Sequence, residues 1–409
     1  MRTIHGGIGG PNQGRGTVLL TGATGFVGGE LLRRLIGRTR RHVVCLVRSE
    51  SDAGAVARGT AAYAEMAGHT PTASERTRVT WVAGDISRPH LGLNPERWEA
   101  LAGEIEEIFH CAASTRFDLS LADAHATNFV GLREILRLAE AATERGGFRR
   151  LHHVSTAYAA GSTSTSVVAD FLPADWAYEF RNTYERTKAR AERLLRSQTR
   201  VPYTIYRPSI IVGDSQSGRT TSWNVVYYPM RLMALGRLRF APAGGRALLD
   251  CVPVDFVADG ILALGRRDDT AGRVFHLTTG ETAITVHDVI EQTYAGLARQ
   301  RREPVRIGTW ALGPAAWWVL AQAYRAVLRG RARQAFDRFE QYAPYTRISS
   351  VYDNRRETTM LAEEGVRSPD PREFFPRIVD YALRCEFGRR HPDVVTAVAA
   401  RTEVLAAAV

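Results

Sequence analysis

Near the start of this chain a short β-branched and apolar run, Thr17-Val18-Leu19-Leu20, opens directly into Thr21-Gly22-Ala23-Thr24-Gly25-Phe26-Val27-Gly28-Gly29. Glu30 to Ile36 then follows with helical periodicity. Few folds place a buried strand, a glycine turn and a helix in that order. The glycines allow a tight turn and close backbone approach, and the helix N-terminus with its free N–H groups attracts a pyrophosphate. The arrangement predicts a dinucleotide site held by Gly22, Thr24, Gly25, Phe26, Val27 and Gly28. The spacing is G-x-x-G-x-x-G, one residue longer between the first two glycines than the G-x-G-x-x-G fingerprint.

A second strand, His42 to Val47, ends at Arg48. A site specific for NAD places an acidic residue there for the ribose 2′-hydroxyl. An arginine suits a 2′-phosphate instead, which predicts NADPH, with Arg58 on the next helix as a second contact. Glu50 and Asp52 lie close by and argue for NADH. Further strands are expected at Val79–Ile86, where Asp85 and Ile86 meet the adenine, at Glu107–Ala113 and at Arg150–Thr156. Helical stretches separate them, notably Asn128 to Arg145. Strands alternating with helices imply an α/β fold, a doubly wound parallel Rossmann sheet covered on both faces.

Of the 54 lysines and arginines only Lys188 is a lysine, and it stands four residues after Tyr184. On a helix, positions four apart share a face, and Asn182 or Thr183 can cap its start. A free phenol has a pKa of about 10, and a cation nearby favours the phenolate. Such a pair makes a tunable acid, able to protonate a carbonyl oxygen as hydride reaches the carbon. Taken alone, Tyr-x-x-x-Lys fits a packed ring beside a solvated lysine better than it fits a catalytic pair.

Taken together, Gly22-x-x-Gly25-x-x-Gly28, Asp85, Ser155-Thr156 and Tyr184-x-x-x-Lys188 resemble the extended short-chain dehydrogenase/reductases. Longer strings resemble their thioester reductase and fatty acyl-CoA reductase branch. These are Leu46-Val47-Arg48, Gly84 to Leu93, His110-Cys111-Ala112-Ala113, Val154 to Tyr158 and Tyr206 to Ser215. The resemblance covers roughly 16–290 well and 290–385 loosely. It implies that Tyr184 is the proton donor and that Lys188 holds the nicotinamide ribose and depresses the phenol. It implies that Thr156 hydrogen-bonds the substrate carbonyl, with Ser155 as runner-up. Pro208, Ser209 and Ile210 would line the nicotinamide, and Ala112, Ala113 and Ser114 would pass beneath the phosphates or ribose. The family's usual proline before the tyrosine is Thr183 here.

The implied activity is NADPH-dependent reduction of an acyl thioester, on CoA or an acyl carrier protein, to aldehyde or alcohol. Alternatives are other chemistry of the same fold: aldehyde or ketone reduction, a hydroxysteroid-type dehydrogenase, or a sugar-nucleotide epimerase or dehydratase. The expected organisation is a disordered tail over 1–15, a Rossmann domain over 16–212 and 250–278, a smaller, mostly helical substrate region over 213–249 and 279–385, and a C-terminal tail over 386–409. Trp223, Tyr227, Tyr228, Met230 and Met233 are candidates for an apolar channel or for ordinary core. Gly213-Asp214-Ser215 resembles a carrier attachment site, but it follows a β-branched run with no small helical domain around it. The chain is expected to stand alone and meet its acyl carrier as a separate protein.

A net charge of +11 suits an acidic partner such as CoA phosphates or an acidic carrier. The arginines are dispersed without aromatic interleaving, which argues against nucleic acid. Trp317 to Arg338 is basic and amphipathic, a lid helix or a peripheral membrane contact. The longest apolar run falls short of the roughly 18 residues of a spanning helix. Four scattered cysteines without Cys-x-x-Cys fit a reducing cytoplasm and no metal site. His152 and His153, adjacent in a strand, point to opposite faces.

Overall fold

The computed structural model describes residues 16–390, apart from 164–165, 175–178, 199, 224, 244–246 and 349. The expected tail over 1–15, and 391–409 of the C-terminal one, lie outside the described residues. Seven strands form one parallel sheet: β1 (Thr17–Thr21), β2 (His42–Val47), β3 (Val79–Ala83), β4 (Ile105–His110), β5 (Arg150–Val154), β6 (Tyr203–Pro208) and a last strand, Arg273–Leu277. Their spatial order is Arg273–Leu277, β6, β5, β4, β1, β2, β3. The chain therefore builds outward from β1 in one direction, returns, and continues from β4 in the other. The crevice between the C-terminal ends of β1 and β4 is where such a sheet receives a ligand.

Sheet strands buried on both faces need apolar cover on both, and two core clusters supply it. Helices Phe26–Arg38, Asp52–Ala67 and Val254–Arg266 contribute to one. Helices Pro95–Glu104, Gly131–Arg145 and Thr183–Ser197 contribute to the other. A third cluster unites Ile210 and Val212 with helices Tyr227–Ala234, Val286–Arg301 and Pro371–Arg384, forming a cap above the crevice. The Ile210–Val212 strand pairs in parallel with Cys251–Pro253, which ties the cap to the sheet.

Several expected elements differ: the strand over 79–86 ends at Ala83 and the one over 107–113 at His110, because the chain turns to form the crevice there. The basic segment 317–338 is not a single helix: helix Pro314–Val327 ends before Leu328, and a second helix runs Gly330–Glu340. Gly330, in the left-handed region at φ 55°, marks the break. The two helices fold back on each other, so that Arg325 pairs with Glu340. No helix among the described residues is long and apolar enough to cross a membrane.

Candidate active site

The glycine loop runs from the end of β1 into helix Phe26–Arg38, with Gly25 as its N-cap and no side chain capping it. Gly22 has φ 78°, and a Cβ there would lie 2.7 Å from the backbone nitrogen of Ala112. A Cβ on Gly28 would lie 2.2 Å from the carbonyl oxygen of Gly22. Glycine at both positions lets the loop fold onto the helix and against the segment after β4. The first backbone N–H groups of the helix are left facing the crevice.

A cavity of about 410 Å³ opens over this loop. It is lined by Gly22, Thr24, Gly25, Phe26, Val27 and Gly28, by Ala113, Ser155, Thr156, Tyr184 and Lys188, and by Pro208, Ser209 and Ile210. Residues expected from separate parts of the sequence thus share one space. Ser209 is held there by Asp250, a buried carboxylate that accepts its hydroxyl at 2.6 Å together with the backbone N–H groups of Thr279 and Gly280.

Tyr184 and Lys188 lie on helix Thr183–Ser197, started by the Asn182 side chain, which accepts from the Glu185 N–H. The Tyr184 phenol is pushed up to about 12, chiefly by burial, while a side-chain hydrogen bond with Thr156 pulls the other way. The phenol is therefore raised: desolvation, helped by the Glu185 carboxylate, outweighs the Thr156 hydrogen bond. The Lys188 Nζ donates to the Val154 carbonyl at 2.7 Å and is 2% exposed. Its own pKa falls to about 8, because burial disfavours the ammonium more than Glu192 supports it.

Ser155 and Thr156 part ways at this point. The Ser155 hydroxyl donates to Glu192, whose carboxylate is also held by the fully buried Arg207 at 2.6 Å. Paired charges of this kind hold each other in place inside a protein, and Ser155 is committed to them. Thr156 faces the phenol.

At the far end of the crevice Arg48 follows β2 and is exposed. Arg58, also exposed, donates to the Arg48 carbonyl oxygen at 2.8 Å. Asp52, one of the two acids that argued for NADH, is taken: it binds the Arg97 guanidinium at 2.6 Å and accepts from the Ala83 N–H. The Asp85 carboxylate accepts from the Ser87 N–H and hydroxyl, closing the turn after β3. Ile86 packs beside Gly131, where a Cβ would meet its Cδ1 at 2.8 Å. These four candidates, Arg48, Arg58, Asp85 and Ile86, lie outside the catalytic cavity, and Ala112 and Ser114 sit behind its wall.

Sequence reasoning missed Asn128. It sits in a π-helical turn, Ala126–Val130, a distortion that often marks functional sites. Its side chain accepts from the Ser114 N–H at 2.8 Å and donates to the Ser114 carbonyl and the Thr187 hydroxyl. It thereby joins the segment beneath the cofactor crevice to the helix of Tyr184. The only signal was a polar, helix-indifferent residue inside an amphipathic run. His110 and His153 were also missed as neighbours of Lys188. Their rings stack at 5.4 Å, and burial together with the ammonium keeps both neutral.

The expected channel residues divide. Met233 faces a small apolar cavity. Tyr227 is buried, its hydroxyl accepting from the Gly213 N–H. Met230 is core, and Trp223 stacks on Tyr381.

The family model for the male sterility protein matches residues 20–261. The chain is 28% identical over 379 residues, 90% of its length, to a linear gramicidin synthase of Brevibacillus parabrevis. It is 32% identical over 315 residues, 73% of its length, to isonitrile lipopeptide synthase of Streptomyces coeruleorubidus. It spans 7% and 20% of those relatives' own lengths. The terminal R domain from the myxalamid PKS-NRPS biosynthetic pathway has the same fold, with a TM-score of 0.76 and 26% identity over 92% of this chain and 93% of that one. With the glycine loop and the Tyr184–Lys188 helix sharing one crevice, the chain belongs to the male sterility protein family of nicotinamide-dependent oxidoreductases, in the thioester reductase branch of the extended short-chain dehydrogenase/reductases.

Proposed function

We propose that this chain is an NADPH-dependent reductase of acyl thioesters presented on a carrier protein, with Tyr184 as proton donor. One observation carries the reading: Tyr184, Thr156 and Lys188 line the same cavity as the glycine loop. The site fits a nicotinamide dinucleotide by its donor set, with uncapped helix N–H groups at one end and a buried ammonium at the other. The cofactor, when bound, supplies the hydride.

The chain's own residues supply the rest. The carbonyl oxygen rests between the Thr156 hydroxyl and the Tyr184 phenol. As hydride adds to the carbonyl carbon, negative charge grows on that oxygen, and the two hydroxyls stabilise it. A phenol raised to about 12 stays protonated at neutral pH, the state a proton donor needs. Once it gives up its proton, the Lys188 ammonium offsets the phenolate. As the C=O bond re-forms and the C–S bond breaks, the hydroxyl proton returns to the phenolate, the carrier thiolate leaves and takes up a proton from solvent, and an aldehyde remains; a second hydride, with Tyr184 again giving the proton, yields the alcohol.

The exposed guanidinium of Arg48 and the engagement of Asp52 by Arg97 support NADPH over NADH. The similar R domain comes from the myxalamid PKS-NRPS biosynthetic pathway, which supports a carrier thioester over acyl-CoA.

The test is NADPH oxidation with a panel of carrier-bound acyl thioesters, acyl-CoAs, aldehydes and ketones, with products identified by mass. Aldehyde or alcohol from a carrier thioester is the expected result. Turnover of ketones or sugar nucleotides alone would refute the reading.

A further inference from the structure

Beside the catalytic cavity lies a second, smaller one of about 50 Å³. Its wall is almost wholly apolar, built from residues such as Met233, Leu238, Leu249, Val289, Ile290 and Phe339. A space of that composition gives water no partners, so it stays dry and favours a hydrocarbon occupant.

Two residues, Val225 and Tyr345, line both cavities. Tyr345 is the fixed side. Its hydroxyl donates to Glu185 at 2.7 Å and accepts from the Asn182 amide at 2.8 Å. Its ring stacks on Phe117 at 5.2 Å, and Phe117 in turn lies against Tyr184. Val225 forms the other side, with φ at 47°. A β-branched residue holds that conformation only under strain. The strained position therefore falls where the two cavities meet.

We propose that the small cavity receives the aliphatic end of the acyl group, with Val225 as the movable side of the passage. The proposal rests on the reductase reading and narrows it, to thioesters whose acyl group ends in a hydrocarbon tail. A polar or charged tail would lose its water there and find no hydrogen-bond partner. The space holds about four water-sized groups, hence about four methylenes. Each buried methylene contributes about fourfold to binding.

The experiment is a series of straight-chain acyl pantetheine thioesters, from acetyl upward. The ratio kcat/KM is expected to climb about fourfold per carbon over a window of about four carbons, then level off. Val289→Phe, and the milder Ala241→Val, fill the cavity. Each is expected to lower the ratio of best chain to acetyl, the former by at least about tenfold, with thermal melting reporting that the variants fold. A flat profile, or one that both variants leave alone, overturns the proposal and marks the space as a packing void. If no thioester or aldehyde is turned over, the reductase reading fails separately, and calorimetric titration with straight-chain primary amides decides the cavity. Affinity that grows with chain length and drops in the filled variants supports the tail pocket; no binding overturns it.

Discussion

The two ends of the nucleotide crevice are built on opposite principles. At the end that holds Tyr184, the polar side chains around the phenol are buried and held: Lys188 on the Val154 carbonyl, Ser155 on Glu192, Ser209 on Asp250. Burial there moves the phenol to about 12 and the ammonium to about 8. At the other end, where the proposed reading puts the adenine, Arg48 and Arg58 stand in solvent. The difference follows from the tasks. Proton transfer depends on small differences in pKa, which only a desolvated site can set. Recognition of a phosphate needs charge and reach, which a guanidinium supplies while exposed.

That contrast can be broken, most severely at the buried end. Tyr184→Phe should cut turnover at least about a hundredfold while leaving NADPH affinity nearly intact; steady-state rates and a cofactor titration check both. Lys188→Arg should fail almost as badly despite keeping its charge, because a broad planar guanidinium cannot take the place of a compact ammonium packed onto the Val154 carbonyl. A fully active Arg variant would show that charge alone matters there. The pH profile sharpens the point. Lys188 is charged below its pKa of about 8 and neutral above it, so kcat should fall as pH rises through about 8. Tyr184 stays protonated throughout that range, so a decline toward acid pH would have to come from another group.

At the exposed end effects should be smaller and selective. Arg48→Ala should weaken NADPH by about tenfold, the range of one charged hydrogen bond, and leave NADH almost unchanged. Equal losses for both cofactors would remove the 2′-phosphate role. Asn128→Ala should be mildest, with a several-fold drop in kcat, because it reaches the chemistry only through Thr187 and Ser114.

The same contrast explains what was legible in the sequence. Strand, glycine turn and helix are local patterns, and the parallel sheet follows from their alternation. Tyr184 and Lys188 are one helical turn apart, so their shared face was readable too. What depended on contacts distant in sequence was not. Ser155 and Thr156 differ only in which way each faces, and a glutamate 37 positions from Ser155 decides the matter. Asp52 looked available for a ribose until Arg97, from another helix, engaged it. The pKa of Tyr184 depends on how many atoms surround it, and no spacing of residues reveals that. The break between the two basic helices rests on one left-handed glycine, and their fold-back is fastened by Arg325 on Glu340.

The Asn128 clasp has a consequence for the order of events. It fastens the strip of backbone after β4 to the helix that carries the phenol. A dinucleotide settling onto that strip would press, through those hydrogen bonds, on the helix that carries Tyr184. On the proposed reading, a nucleotide that seats first would steady the phenol before a thioester arrives.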